Sequence, residues 1–102
     1  MTIALPPAEM IAGARSSEGV SVPGMEATRL IWVHVNGSRR LELRDFPPAR
    51  REWLKSIGCF TEVIQHKTRM FIPADRTLTI VDQLVRTGRQ WNVLTAPASR
   101  AA

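Results

Sequence analysis

The side chains that most often perform covalent chemistry are sparse in this 102-residue sequence. It contains one cysteine, Cys59, and two histidines, His34 and His66. A Cys–His pair could act as a nucleophile and its base, but Cys59 follows a predicted helix end, where a small buried hydrophobic residue is the stronger interpretation. We interpret His34 as a half-exposed strand residue and His66 as a residue at a hairpin tip.

No spacing in the sequence matches a familiar metal, nucleotide or hydrolase motif. HExxH, CxxC, GxxxxGK[ST], GxGxxG and GxSxG are all absent, so we expect no metal site, no cofactor and no catalytic residue. The acidic residues do not cluster, and Asp45 and Asp75 are better explained as helix caps than as ligands. The sequence therefore favours a protein that is not an enzyme.

Basic residues give the one positive indication of function. The formal net charge is +5, and the basic residues are almost all arginine. Arginine presents a planar fork of donors that suits phosphate or carboxylate, although a GC-rich genome would also favour its codons. The excess of positive charge favours an anionic partner, with nucleic acid or a nucleoprotein complex as the first hypothesis.

The predicted anion-binding residues form two groups. The start of the first predicted helix, the second hairpin tip and the end of the second helix are expected at one end of the sheet. The basic residues expected there are Arg50, Arg51, His66, Lys67, Arg69, Arg86 and Arg89. Arg39 and Arg40, with Arg44, form the second group on the first hairpin. A scattered, solvated basic surface is the alternative interpretation.

The elements that would position these residues read as two successive strand-strand-helix units, at 29–58 and 59–88, followed by a strand at 90–94. This predicts an α+β fold, a small antiparallel sheet with two helices on one face. The predicted order is β-β-α-β-β-α-β, ferredoxin-like or a duplicated ββα. Residues 1–27 are predicted to be an arm outside the core, residues 28–95 the single domain, and residues 96–102 a flexible tail.

The first hairpin has the clearest local signal. Asn36-Gly37 between two apolar runs is typical of a type I′ turn, which would place Trp32 opposite Leu41 on one face. The other face of the first strand is then also apolar, and an arm, a second copy or a partner protein should cover it. The predicted interface residues on that face are Ile31, Val33 and Val35.

Glycines and apolar spacing mark the predicted helices. Gly58 and Gly88 are each predicted to end a helix in a left-handed conformation. The buried stripe of the second helix is predicted to contain Leu78, Val81, Leu84 and Val85.

Two further hypotheses accompany nucleic-acid binding. The first is a protein-binding regulator or inhibitor, such as a phage or mobile-element accessory protein, that acts through the apolar sheet face or a free strand edge. The second is an enzyme that uses Cys59. A homodimer is compatible with a free edge. We expect no membrane span, no signal peptide and a cytoplasmic location.

Overall fold

The computed structural model describes residues 6–95 and shows an α+β fold with a five-stranded antiparallel sheet. The elements are α1 (Pro7–Gly13), β1 (Val20–Val22), β2 (Met25–Val35), β3 (Ser38–Arg44), α2 (Arg51–Ser56), β4 (Phe60–Ile64), β5 (Lys67–Ile72) and α3 (Thr77–Thr95). The strand order is β1-β2-β3-β5-β4. The predicted class and antiparallel sheet are confirmed, but the strand order and the three helices match neither of the two predicted topologies.

The β2–β3 hairpin has the predicted register. Trp32 lies opposite Leu41 and Leu30 opposite Leu43. Asn36 and Gly37 have φ angles of 50° and 82°, and positive φ at both central residues is what a type I′ turn requires. The turn dipeptide therefore determines which side chains of β2 and β3 face the helices.

The predicted strand at 90–94 is wrong, because α3 continues without interruption to Thr95. Leu84, Gly88 and Trp91 are spaced by four and three residues, so the helical stripe extends past the glycine. Gly88 therefore does not end the helix. No described helix, α3 included, has an apolar stretch that could cross a bilayer.

Gly58, in contrast, ends α2 as predicted. Its φ is 119°, its N–H donates to the carbonyl of Lys55, and the N–H of Cys59 donates to the carbonyl of Leu54. This pair of hydrogen bonds is the Schellman motif, which satisfies the last carbonyls of a helix.

The segment before β2 packs into the core instead of forming a separate arm. Met10, Ala14 and Val22 are buried in the main apolar cluster. The indole N–H of Trp32 also donates to the carbonyl of Ile11 at 3.0 Å. Met10 and Ala14 lie four residues apart, on one face of α1, and both face the core. The predicted tail at 96–102 lies outside the described residues.

The core lies between the helices and one face of the sheet. The buried sheet residues on that face include Leu30, Leu41, Leu43, Met70 and Ile72. The helices contribute Leu54, Ile80, Val81, Leu84 and Val85. Leu78, predicted to be in this stripe, is instead 57% exposed, because the buried face of α3 is centred on Ile80 and Leu84.

The opposite, outer face of the sheet is not an open apolar surface. Ile31 and Val35 are only 5% and 4% exposed, and Val33 is half-buried. Part of this cover comes from the loop between α1 and β1, since a Cβ placed on Gly19 would lie 3.0 Å from the Cβ of Ile31. Ile31 and Val35 are therefore already covered within one chain.

Candidate nucleic-acid interface

Two clefts in the sheet follow from a short pairing between β3 and β5. These strands share only three residue pairs, from Leu41 opposite Ile72 to Leu43 opposite Met70. Beyond the pairs, β3 projects past the end of β5 on one side, and the start of β5 diverges from β3 on the other. A cleft lies at each end, and basic residues line both.

The first cleft, which we call the Arg39 cleft, lies where β3 begins and β5 ends. It encloses about 390 Å³. Its lining residues are Trp32, Ser38, Arg39, Arg40, Leu41, Phe60, Ile72, Pro73, Ala74 and Thr77. None of them is acidic, and Arg39 and Arg40 are the two cations of the lining.

Aromatic rings accompany the guanidinium groups in the Arg39 cleft. The guanidinium carbon of Arg39 lies 4.9 Å from the centre of the Trp32 ring, a cation–π contact. Phe60 is 37% exposed at the same cleft. Nucleobases stack on aromatic rings and on arginine planes, so this lining can contact both the phosphates and the bases of a nucleic acid.

The second cleft, which we call the Lys67 cleft, lies at the opposite end of the same strands. It encloses about 570 Å³ between the end of β3 and the β4–β5 hairpin. Arg44, Lys67 and Arg69 line it together with Glu42 and Asp45. Two carboxylates in this lining offset part of the charge of its three cations.

Two ion pairs cross the outer face of the sheet between the clefts. Arg69 donates two hydrogen bonds of 2.8 Å to the two carboxylate oxygens of Glu42. Arg40 donates to Glu62 at 2.9 Å, which reaches from β3 over β5 to β4. The Glu42 side chain is 5% exposed and that of Glu62 is 37% exposed, so only the first carboxylate is buried.

Phe71 lies beneath this layer of ion pairs. It is fully buried on the outer face, and the guanidinium carbons of Arg40 and Arg69 lie 5.3 and 5.5 Å from its ring centre. The hydrogen bond to Glu42 raises the pKa of Arg69. Both arginines therefore act as structural residues that cover an apolar ring and hold β3, β5 and β4 together.

The predicted anion-binding residues thus have different environments. Arg40, Arg69 and Arg86 are in ion pairs with Glu62, Glu42 and Asp82. The Arg50 guanidinium lies 3.7 Å from the Trp91 ring centre, and Arg89 has an interaction within the chain. Among residues 6–95, no carboxylate pairs with Arg39, Arg51 or Lys67.

The topology brings part of the predicted basic end together. Arg50 lies at the start of α2 and contacts Trp91 near the end of α3, while Lys67 begins β5 at the same end of the sheet as Arg44. Arg39 and Arg40 lie at the other end. The basic residues therefore form two separate surfaces and not a single patch.

Cys59, the one candidate nucleophile, is poorly suited to that role. It is 5% exposed, and burial raises the pKa of its thiol to about 12. The thiolate is the nucleophilic form, and little of it exists at neutral pH. Within residues 6–95, no three Cys, His, Asp or Glu side chains are grouped so that they could hold a metal ion.

We expect the Cys59 thiol to react slowly in the folded protein. At pH 8, a pKa of about 12 instead of the ordinary 9.0 lowers the thiolate fraction by about 1,000-fold, and alkylation should slow at least as much relative to the urea-unfolded chain. Labelling with iodoacetamide, followed by mass spectrometry, measures both rates. Equal rates in the folded and unfolded states would show that Cys59 is accessible.

The same pKa has a consequence for stability. Folding raises the pKa of the Cys59 thiol. The contribution of this thiol to the free energy of unfolding is therefore complete below about pH 9 and is lost as the pH rises toward 12. Urea titrations at pH 7 and pH 10 should therefore show lower stability at pH 10, and Cys59→Ala should reduce that difference.

Sequence reasoning missed some residues that shape the clefts. The sequence assigned Phe60 no role and placed Trp32 only opposite Leu41 on one face of the hairpin, yet both line the Arg39 cleft. Phe60 lies opposite Phe71 on the outer face, a pairing that follows from the two-residue β4–β5 turn. That turn contains no glycine that would mark it in the sequence. Gln65 and His66 occupy its two central positions and adopt φ angles of 52° and 67°.

No protein-family model matches this chain, and no curated protein and no solved structure shows significant similarity to it.

Proposed function

We propose that this chain is a small non-enzymatic protein that binds nucleic acid, free or within a nucleoprotein complex, through the Arg39 cleft. The supporting observation is the lining of that cleft, which combines Arg39 and Arg40 with Trp32 and Phe60 and includes no acidic residue. The formal net charge of +5 supports the same class of partner.

Within this proposal the basic residues have distinct roles. Arg39 has no carboxylate partner among the described residues and is the principal phosphate contact. Arg40 keeps its bond to Glu62 and contributes less charge. Arg51 and Lys67 add long-range attraction from elsewhere on the surface. The raised pKa of Cys59 supports the non-enzymatic part of the proposal.

Binding is tested with fluorescently labelled single-stranded DNA, single-stranded RNA and duplex DNA by anisotropy across a range of NaCl concentrations. We expect the logarithm of the association constant to fall linearly with the logarithm of salt concentration, with a slope of about −0.7 per phosphate contact on a single strand. Absence of binding at low salt, or binding that salt does not change, would refute the proposal.

We expect Arg39→Glu to weaken this binding by at least about tenfold, because it replaces a phosphate contact with a repelling charge. Lys67→Glu is the matched control, since it changes the net charge equally at the opposite end of β3 and β5, and it should have a smaller effect. Equal losses would show that binding depends on net charge and not on the Arg39 cleft. Both residues are exposed, so neither change should unfold the protein.

A protein-binding regulator is the second candidate function. The apolar outer face now supports it less, because Ile31 and Val35 are buried within the chain. The exposed edge of β4 supports it more, since Val63 on that strand is 69% exposed.

A further inference from the structure

The two edge strands of the sheet differ in how they are protected against pairing. β1 has only three residues, its register shifts between Ser21 and Val22, and Pro23 follows it. β4 pairs with β5 from Phe60 to Ile64 without a bulge and contains neither proline nor lysine. Short length, bulges, proline and lysine are the usual devices that prevent edge-to-edge association, and β4 lacks all of them.

The free side of β4 presents backbone groups that can form hydrogen bonds. Ile64 and Lys67 flank the two-residue turn and form a hydrogen-bonded pair, so the alternation of an antiparallel ladder turns the N–H and C=O of Thr61 and Val63 away from β5. No strand among residues 6–95 pairs with that side. On this same strand, Val63 is 69% exposed and Phe60 is 37% exposed.

The one charge on β4 is already compensated. Glu62 accepts a hydrogen bond from Arg40 at 2.9 Å, so its carboxylate does not repel an approaching strand as an isolated charge would. The β4 edge therefore lacks both the steric and the electrostatic features that keep an edge strand unpaired.

We propose that β4 pairs antiparallel with β4 of a second copy of this chain about a twofold axis at Glu62, which joins the two sheets into one. In this register Thr61 forms the hydrogen-bonded pair with Val63 of the second copy. All five residues of each strand then overlap, whereas a shift by two residues in either direction loses the pairs at the ends.

A second copy fits this edge because the apolar side chains of β4 complement one another in that register, while the two opposed Glu62 carboxylates are each compensated by Arg40. Phe60 lies beside Ile64 of the second copy on the outer face, an aromatic–β-branched pair of the kind that stabilises sheets. On the other face, the exposed Val63 lies beside Thr61. Such an interface is isologous, so each pair of contacting residues occurs twice in it.

The association should be weak. Five residues on each side bury less than the roughly 1,200 Å² of a standard interface, and two copies of a chain with a net charge of +5 repel each other. We expect a dissociation constant on the order of 10⁻⁴ M that decreases with added salt. This salt dependence is opposite to that expected for nucleic-acid binding, so failure of one proposal is distinguishable from failure of the other.

Sedimentation equilibrium of the full chain between about 10 µM and about 1 mM tests the proposal. The wild type should form dimers across this range, and Val63→Lys should weaken dimerisation by at least about tenfold, because a lysine on an edge strand opposes pairing. Leu78→Lys is the matched control, since Leu78 is another exposed aliphatic residue, at 57%, but on α3. A monomeric wild type, or equal loss in both variants, would overturn the proposal.

A cysteine at the twofold axis tests the register separately. Glu62 would face itself in a non-hydrogen-bonded pair, whose Cα atoms lie roughly 4.5 Å apart and allow a disulfide. Glu62→Cys should therefore form a covalent dimer with a mild oxidant, whereas Val63→Cys and the wild type with its buried Cys59 should not. Cross-linking of Val63→Cys but not Glu62→Cys would exclude this register, and cross-linking of neither would exclude the contact.

Discussion

Replacement of Glu42 by glutamine should lower the free energy of unfolding by about 2–3 kcal/mol. Glu42 is 4% exposed and accepts two charge-assisted hydrogen bonds from Arg69. Glutamine keeps the size of the side chain but removes its charge and one of its two acceptors. Arg69 is then left partly buried, with its side chain 23% exposed, and without a full partner. The remaining exposure of Arg69 keeps the cost below that of a fully buried pair.

Urea denaturation measures this effect, and Glu62→Gln provides the matched control. Both glutamates lie on the outer face and bind an arginine of another strand, but the Glu62 side chain is 37% exposed. A pair this exposed contributes about 1 kcal/mol or less. We therefore expect the two variants to differ by at least about 1 kcal/mol, which corresponds to roughly 4–8 °C in the midpoint of thermal unfolding. Equal effects would show that burial does not determine the contribution of the pair.

A double-mutant cycle with Arg69→Met separates the ion pair from the general effect of altering β3. Once Arg69 is absent, Glu42 becomes a buried carboxylate whose remaining cationic neighbour within 4 Å, among residues 6–95, is Arg44 at 3.7 Å. Its conversion to glutamine should then cost much less than in the wild type, or even stabilise the fold. We expect a coupling energy of about 1–3 kcal/mol. Additive effects would mean that the two side chains do not stabilise each other.

Features determined by neighbouring residues were predictable from the sequence. Asn36-Gly37 specifies a tight turn, and that turn fixes the register of β2 and β3. At Gly58, α2 ends with hydrogen bonds from the N–H of Gly58 to Lys55 and from the N–H of Cys59 to Leu54. In both cases the interacting groups lie within a few residues of each other, so the physical constraint is visible in a short stretch of sequence.

The ion pairs of the candidate interface were not predictable, because they depend on the strand order. Arg40 and Glu62 are 22 residues apart and meet only because β5 places β4 within reach of β3. Sequence reasoning identified Arg40 and Arg69 as basic surface residues but could not show that carboxylates already pair with them. The predicted strand at 90–94 concealed the arrangement further, since it required an additional position in the sheet.

Gly88 shows how one residue type can support two different structures. A glycine after an apolar helical stripe is typical of a helix end, which is how the sequence was interpreted. In the structure Gly88 is a buried residue inside α3, where the turn between β1 and β2 contacts the helix. A Cβ at Gly88 would lie 1.9 Å from the carbonyl oxygen of Pro23 and 2.7 Å from its carbonyl carbon.

We expect Gly88→Ala to destabilise the protein by about 2 kcal/mol or more, the opposite of the usual effect of alanine in a helix. In an exposed helix interior, glycine-to-alanine substitution stabilises by about 1 kcal/mol. Here the added methyl group meets backbone atoms, which cannot rotate away as a side chain can, so the turn or α3 must move. Overpacking of this kind costs about 1–3 kcal/mol, and displacement of α3 would also disturb the contact of Trp91 with Trp53.

Gln83 provides the control for Gly88→Ala within the same helix, because its side chain is exposed. Gln83→Ala should change the free energy of unfolding little, and Gln83→Gly should lower it by about 1 kcal/mol. If helix propensity alone governed α3, Gly88→Ala would raise stability by the amount that Gln83→Gly lowers it. A loss at Gly88 together with a normal response at Gln83 would instead show that the β1–β2 turn contacts the helix. Alanine is also disfavoured at a left-handed glycine that ends a helix, so this interpretation holds because Gly88 lies inside a helix that continues to Thr95.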